Sequence, residues 1–480
     1  MSTGGNGSKK KVWQLILALP SHETAVRLTK WIESWVLEPI LITTLWLFLL
    51  IGIVLTVDPV AFYAILTTLA LLSPIWLPYA LGVGLWIVWI DYVRFIAWFN
   101  DEKIVLEIQV PAEIEKSPHA MEVVFASIWN ATGETTFISR FWRGRSRPIW
   151  SFEIAGNEGK IGYYIHGSAA WRNIIESAIY GQFPEAQVRQ VPDYTNAVDF
   201  NLDEWDNWNA EYKKSGYNKE TADVQALPIK LYTQFELDKN TDVPETKIDP
   251  LTNILEMMNT CGKDEYLWVQ YIVRARNKDD WYGIQARKTD DFKDPAIARI
   301  QTIMAGAAKR AQTVLKEADI IEGKMNALLT DGEKKEIEAI ERNMGKPIFE
   351  AGVRIVYVGK KERFRRVMGA PLYRGFEPFH GEFNEIKGAG SRGNMVRWDY
   401  PWEDFRGIRK AMVKVNQFFF YKHRAYFWVP YDQTPVFLST EELASLWHFP
   451  GSAVKTPGLN RVASQRSTAP PNLPTGPQES

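Results

Sequence analysis

Residues 151–167 read SFEIAGNEGKIGYYIHG, two strand-forming runs around a turn at Asn157 and Gly159, and the rest of the soluble region can be read outward from this hairpin. On its N-terminal side, KIVLEIQV (103–110) is a β-rich run that ends at Pro111. Ser117-Pro118 then leads into MEVVFASIW (121–129), whose apolar residues fit one helix face. On its C-terminal side, SAAWRNIIESAIYGQFP (168–184) places Ile174, Ile175, Ala178 and Ile179 on a buried helix face, and a strand near Ala186 to Gln190 closes the unit. The order β-α-β-β-α-β is the split pattern of ferredoxin-like α+β domains.

A second copy of this order is expected further on, with a strand over Ile229 to Leu237, a helix over Leu251 to Asn259, strands over Tyr266 to Arg276 and Glu350 to Val358, and a helix over Lys361 to Met368. Between its central strands lies an insertion, residues 290–343, rich in Ala, Lys, Glu, Met and Leu. This composition predicts a helical hairpin turning near Thr330-Asp331-Gly332. Its mixed charges read as a solvated helix face, with a partner-binding coiled coil as the other reading. HGEFNEIKGAGSRGN (380–394) is glycine-rich and polar and reads as a loop. Ser439 followed by Thr440, Glu441 and Glu442 has the capping arrangement that opens a short helix through Leu446.

Ahead of all this, residues 39–57, PILITTLWLFLLIGIVLTV, carry no charge, and a helix needs roughly 20 such residues to cross a bilayer. Val60 to Ile90 is also uncharged but is expected to break or kink at Ser73, Pro74 or Pro78, leaving open whether it makes one crossing or two. Lys9, Lys10, Lys11, Arg27 and Lys30 precede the apolar block, and Arg94 and Lys103 follow it, which predicts a transmembrane hairpin with both termini in the cytoplasm. Val12 to Leu37 mixes apolar and polar positions as surface-lying amphipathic helices do. The expected organisation is therefore an amphipathic segment (1–37), a transmembrane helical hairpin (38–100), a first α+β domain (101–200) and a polar connector (201–226). A second α+β domain (227–450) carries the helical insertion, and a tail (451–480) rich in Pro, Ser, Thr and Gly is expected to be disordered. The fold class is a membrane-anchored α+β protein with tandem ferredoxin-like units.

The 56 basic and 57 acidic residues balance, so no global field draws the chain to nucleic acid. The single cysteine, Cys261, forms no internal disulfide and reads as a small buried apolar residue. His22, His119, His166, His380, His423 and His448 show no metal-ligand spacing, and no cofactor or metal is expected. GNEGKIG (156–162) lacks the hydroxyl residue of a phosphate-binding loop, and a hairpin turn accounts for its glycines. The densest basic stretch is ISRFWRGRSRPIW (138–150), where Arg140, Arg143, Arg145 and Arg147 interleave with Phe141, Trp142 and Trp150. Such a pattern can grip phosphates and stack on bases, which makes single-stranded DNA or anionic lipid a candidate ligand of Arg140, Trp142, Arg143, Arg145 and Arg147. A solvated arm whose aromatics pack on a neighbour is the structural alternative. Asp203, Glu204 and Asp206 cluster in NLDEWDNWN (201–209), where a surface connector explains them better than metal binding or acid–base chemistry.

Four strings in order, IVLEIQVPAEIEKSPHAMEVVFASIW, FWRGRSRPIWSFEIAGNEGKIGYYIHG, ESAIYGQFPEAQVRQVPDYT and FLSTEELASLWHFPGSAVKTPGLNRV, resemble the N-terminal membrane and accessory region of type IV secretion or conjugation-like DNA-transfer proteins of candidate-phylum bacteria. In such relatives a HerA/FtsK-type P-loop ATPase domain follows a string like HFPGSAVKTP, and here the sequence ends shortly after it. The resemblance implies a non-enzymatic scaffold in the bacterial cytoplasmic membrane that forms homo-oligomers and works with a separate P-loop ATPase, with DNA as a possible partner. It also implies that His448, Phe449 and Pro450 form a structural junction. The second functional expectation is a membrane-tethered module that binds nucleic acid or anionic lipid through the arm from Arg140 to Arg147.

Overall fold

The computed structural model describes residues 48–49, 52, 59–111, 116–131, 136–216, 225–239, 248–276, 281–282, 285–286, 292–314, 329–389, 404, 407–428, 431–451 and 456–462. The expected amphipathic segment and almost all of the apolar run 39–57 lie outside the described residues. The chain divides into two compact units, one of residues 1–86 with 398–412 and one of 87–397 with 413–480.

The uncharged stretch is broken at Leu72, between helix α1 (Pro59–Leu71), which lies in the first unit, and helix α2 (Ser73–Phe99), of which residues 73–86 belong to the first unit and 87–99 to the second. Pro78 is accommodated inside α2, so the expected break falls before the prolines rather than at them. At 1.5 Å per residue the 13 residues of α1 reach only about 20 Å, short of a ~30 Å hydrocarbon core. Among the described residues, α2 is the helix long and apolar enough to cross a membrane. Two crossings are therefore not seen here, and the expected hairpin rests on a run that lies mostly outside the described residues.

The second unit is built on one sheet. Its elements are β1 (Lys103–Pro111), helix α3 (His119–Ile128), the short helix α4 (Phe137–Phe141), β2 (Ile149–Asn157), β3 (Lys160–Ser168), α5 (Arg172–Gln182) and β4 (Gln187–Val191). They continue with β5 (Trp205–Gly216), α6 (Thr252–Asn259), β6 (Glu265–Ala275), α7 (Lys293–Val314), α8 (Asp331–Met344), β7 (Ile348–Lys360), α9 (Gly369–Tyr373) and β8 (Asn384–Ala389). Helix α10 (Ile408–Lys422, of which residues 413–422 belong to this unit), β9 (Val436–Ser439), α11 (Thr440–Leu446) and β10 (Arg461–Val462) complete it. The strands lie in the order β4-β1-β3-β2-β6-β7-β5-β8, antiparallel throughout, with β9 added beside β7 and β10 parallel to β1. Numbered within each half, both halves have the order 4-1-3-2, and they join where β2 pairs with β6 from Ile149↔Arg274 to Asn157↔Tyr266.

This arrangement corrects several expectations. The second half starts with β5, inside the presumed polar connector, and not with a strand at Ile229–Leu237. That segment instead forms a 3-10 turn over Tyr232–Phe235, because its backbone donors find partners outside any sheet. The Ile229 amide donates to Glu442, the Lys230 amide to the Phe379 carbonyl and the Tyr232 amide to Ser445 Oγ. Residues 361–368 are turn and 3-10 structure, with the helix following at α9. Part of the presumed glycine-rich loop is strand β8. The tail is ordered from Thr456 to Val462, where Leu459 is buried and Arg461–Val462 extend the sheet beside β1. On α5, Ile175 and Ile179 face the core while Ile174 is exposed. Thr330 closes a capping box with Glu333, so residues 330–332 open α8, and 315–328 lie outside the described residues.

One sheet face carries Leu106, Phe152, Ile154, Tyr163, Leu267, Val269, Val353 and Ile355 into a core covered by α3, α5, α6, α9 and α11. The central strands β6 and β7 are buried almost along their whole length and are rich in β-branched and aromatic residues, as two-sided strands must be. On the opposite face Trp268, Val356 and Val358 pack against Tyr194, Phe418 and Tyr421.

Candidate functional site

The arginine-rich arm is short and folded rather than extended. Thr136 accepts a hydrogen bond from the Ser139 amide and caps α4, and the chain then turns tightly, with the Arg143 amide bonded to the Ile138 carbonyl and the Arg145 amide to the Ser139 carbonyl. The turn passes through Gly144 at φ +62°, where a Cβ would come within 2.3 Å of the Val93 carbonyl oxygen and 3.0 Å of Ala97 Cβ. Glycine is thus required both by the backbone and by the close approach to α2. Trp89 Nε1 donates to the Phe141 carbonyl at 3.0 Å, and the Trp89 and Trp142 rings meet edge to face at 5.3 Å. Ile90 and Val93 on the same helix are buried. The last turns of α2 and the arm therefore form one packed corner of the second unit.

The four arginines do not act as a set. Arg147 is buried, donating to the Ala275 carbonyl at 2.6 Å beside Glu350 at 3.5 Å, and Arg140 is also buried. Both are structural, which corrects their assignment as ligand contacts. Arg143 and Arg145 are exposed, as is Trp142. Next to them Phe137 and Ile138 present more than half of their surface to solvent, two residues that the basic pattern gave no reason to single out. Trp89 was likewise invisible as a partner, since it lies 52 residues away in sequence.

A second polar centre lies under the segment that follows α10. Arg424, in left-handed conformation at φ 51°, donates from Nε and Nη2 to the two Glu153 oxygens at 3.0 Å each and also bonds Asp193. Gln270 bridges Glu153 to Arg354, whose guanidinium also donates to the Ala425 and Phe420 carbonyls. Burial is the largest influence on the Glu153 carboxyl and pushes it upward, but the Arg424 charge and hydrogen bonds, with the Ser151 hydrogen bond, together outweigh it and hold it below its ordinary value. His166 faces the same cluster. Burial, with Arg424 nearby, lowers it to about 3, so the ring is neutral. Each charge here is matched, so the cluster works as a structural tie.

The remaining candidates are also structural. Asp206 pairs with Lys414, and Asp203 and Glu204 lie at the start of β5, where their amides are held by Asn201. Among the described residues no group of three or more His, Cys, Asp or Glu side chains gathers as metal ligands do. Cys261 is buried, and burial pushes its thiol up to about 12, far from a reactive thiolate. His448 contacts the Ala444 carbonyl through Nδ1 and Asp249 through Nε2 within the core. No protein-family model matches the chain, and no curated protein matches it.

Proposed function

We propose that this chain is a non-enzymatic, membrane-anchored scaffold, two ferredoxin-like units fused through one sheet, serving a type IV secretion or conjugation-like translocation system together with a separate ATPase. The observation that carries the anchoring is the construction of α2. Its uncharged part, Ser73 to Ile90, leaves Leu77, Leu81, Leu85 and Val88 exposed, while its final turns are locked into the sheet unit by Trp89, Ile90 and Val93. An apolar surface of this kind needs a cover, and a bilayer covers a single helix of this length. The run 39–57 supplies the other half of a hairpin on the sequence reading. The translocation role is supported by the order of the four resembling strings, and homo-oligomerisation follows from a platform role.

The test is fractionation followed by affinity purification from native membranes. Retention in the pellet through alkaline carbonate, with an ATPase and further copies of the chain in the purified material, is the expected result. Release by carbonate would overturn the anchor. A monomer that brings down no ATPase would overturn the platform.

A further inference from the structure

We infer that the arm from Phe137 to Arg145 is a second, interfacial membrane contact, with Phe137, Ile138 and Trp142 entering the bilayer edge and Arg143 and Arg145 binding anionic lipid headgroups. The inference rests on the membrane anchoring of α2, and the geometry fixes the level of the arm along that helix. The uncharged run of α2 ends at Ile90, with Asp91 next, and Trp142 meets Trp89 edge to face, one residue before that end. Gly144 rests on Val93 and Ala97, about 5–10 Å further along the axis at 1.5 Å per residue. A headgroup layer occupies roughly 5–8 Å beyond each side of the hydrocarbon. The arginines flanking Gly144 thus fall at headgroup depth, and Trp142, on Trp89, borders them on the apolar side, with the exposed Phe137 and Ile138 one turn before it in α4.

The chemistry of the patch selects lipid over nucleic acid. Ile138 offers no ring for base stacking, and only two of the four arginines are exposed, too few to track a phosphate backbone. An indole at the boundary with guanidinium groups just outside it is instead the composition of a membrane interface.

The test uses the full chain in vesicles of phosphatidylcholine, with or without phosphatidylglycerol, carrying Ile138→Cys or, separately, Leu85→Cys labelled with an environment-sensitive dye. Cys261 stays unlabelled because its thiol is buried. The expected result is quenching of both dyes by nitroxide-bearing lipids and shielding from aqueous iodide, with the dye at 138 docked more fully when phosphatidylglycerol is present. R143Q/R145Q should reduce that lipid preference about five-fold per arginine. Quenching at 85 with iodide access at 138 would overturn the arm contact and leave the anchor standing. Iodide access at both sites would overturn the anchor as well. Shielding at 138 by a single-stranded oligonucleotide and not by anionic lipid would overturn the assignment to lipid.

Discussion

Arg424→Met removes the cation from the most heavily charged part of the second unit and leaves Glu153 fully buried opposite a thioether. The guanidinium makes two 3.0 Å bonds to Glu153 and further bonds to Asp193, with 3% of its side chain exposed against none for Glu153. Breaking a buried pair by deleting one partner costs about 3–5 kcal/mol, a large share of a stability of roughly 5–15 kcal/mol. The loss has a pH signature. In the native protein Glu153 and Asp193 are held below their ordinary values of 4.5 and 3.8: burial is the largest single influence and raises them, and the Arg424 charge together with the hydrogen bonds from Arg424 and from Ser151 or Thr195 more than reverses it. Carboxylates with depressed folded values contribute stability that is complete above the unfolded value and is lost as pH falls through the folded value. Without Arg424, burial is opposed only by weaker influences such as the hydrogen bonds from Ser151 and Gln270, so the folded value of Glu153 rises and the variant is relieved by protonation as the pH drops. The gap between native and variant protein should therefore be widest near neutrality and shrink as pH falls toward 4.5. Urea denaturation of detergent-solubilised protein, followed by far-ultraviolet circular dichroism at both pH values, measures it. A cost below about 1 kcal/mol, or one that does not change with pH, would refute the reasoning.

Three other outcomes follow from the same geometry. Lys214, fully buried, donates to Glu442 at 2.8 Å and to the Gln225 and Phe437 carbonyls, so Lys214→Met should cost about 3–5 kcal/mol, and less than additively when combined with Glu442→Gln in a double-mutant cycle. Gly144→Ala should lower stability by about 1–3 kcal/mol through its positive φ and the contact with Val93, and limited trypsin digestion should then cut faster at Arg143 and Arg145 than in the native chain. Cys261 should react with a thiol reagent at neutral pH only at the rate of unfolding, because its buried thiol is raised to about 12; fast stoichiometric labelling would contradict its placement.

The first repeat was legible because each of its elements declares itself locally. Glu158 and Gly159 both take positive φ in the β2–β3 turn, which Asn-Glu-Gly suits, and the flanking strands carry their apolar residues on one face. The opening strand of the second repeat was hidden for the opposite reason. WDNWNAEYKKSG reads as solvated, yet Asn207 is held by the Lys414 carbonyl, Asn209 by Gln417 and Lys214 by Glu442, partners about 200 residues or more away that sequence spacing cannot reveal. Ile229–Leu237 misled in the converse way, since apolar residues bury equally well in a turn whose amides are met by side chains. At the arm, composition located the arginines but not their division into buried and exposed. For Arg147 that division depends on Glu350 and the Ala275 carbonyl, which belong to the other half of the sheet.

The same long-range pairing explains why the two halves cannot serve as separate domains, whatever the apparent linker at 201–226 suggests. Two 4-1-3-2 sheets joined at β2–β6 need a core that both share, and residues 439–449 fill that place. Trp447 meets Phe125, Phe152 and Tyr163 of the first half edge-on, while Glu442 binds Lys214, Ser445 receives the Tyr232 amide and His448 contacts Asp249 in the second. A helix carrying Glu441, Glu442 and Ser445 would be a poor choice for a buried position on composition alone. It is stable there because each of those groups is paired: Glu441 with Lys346, and the other two as above. Removing this segment would expose apolar surface and orphan charges in both halves at once, so the halves should unfold together.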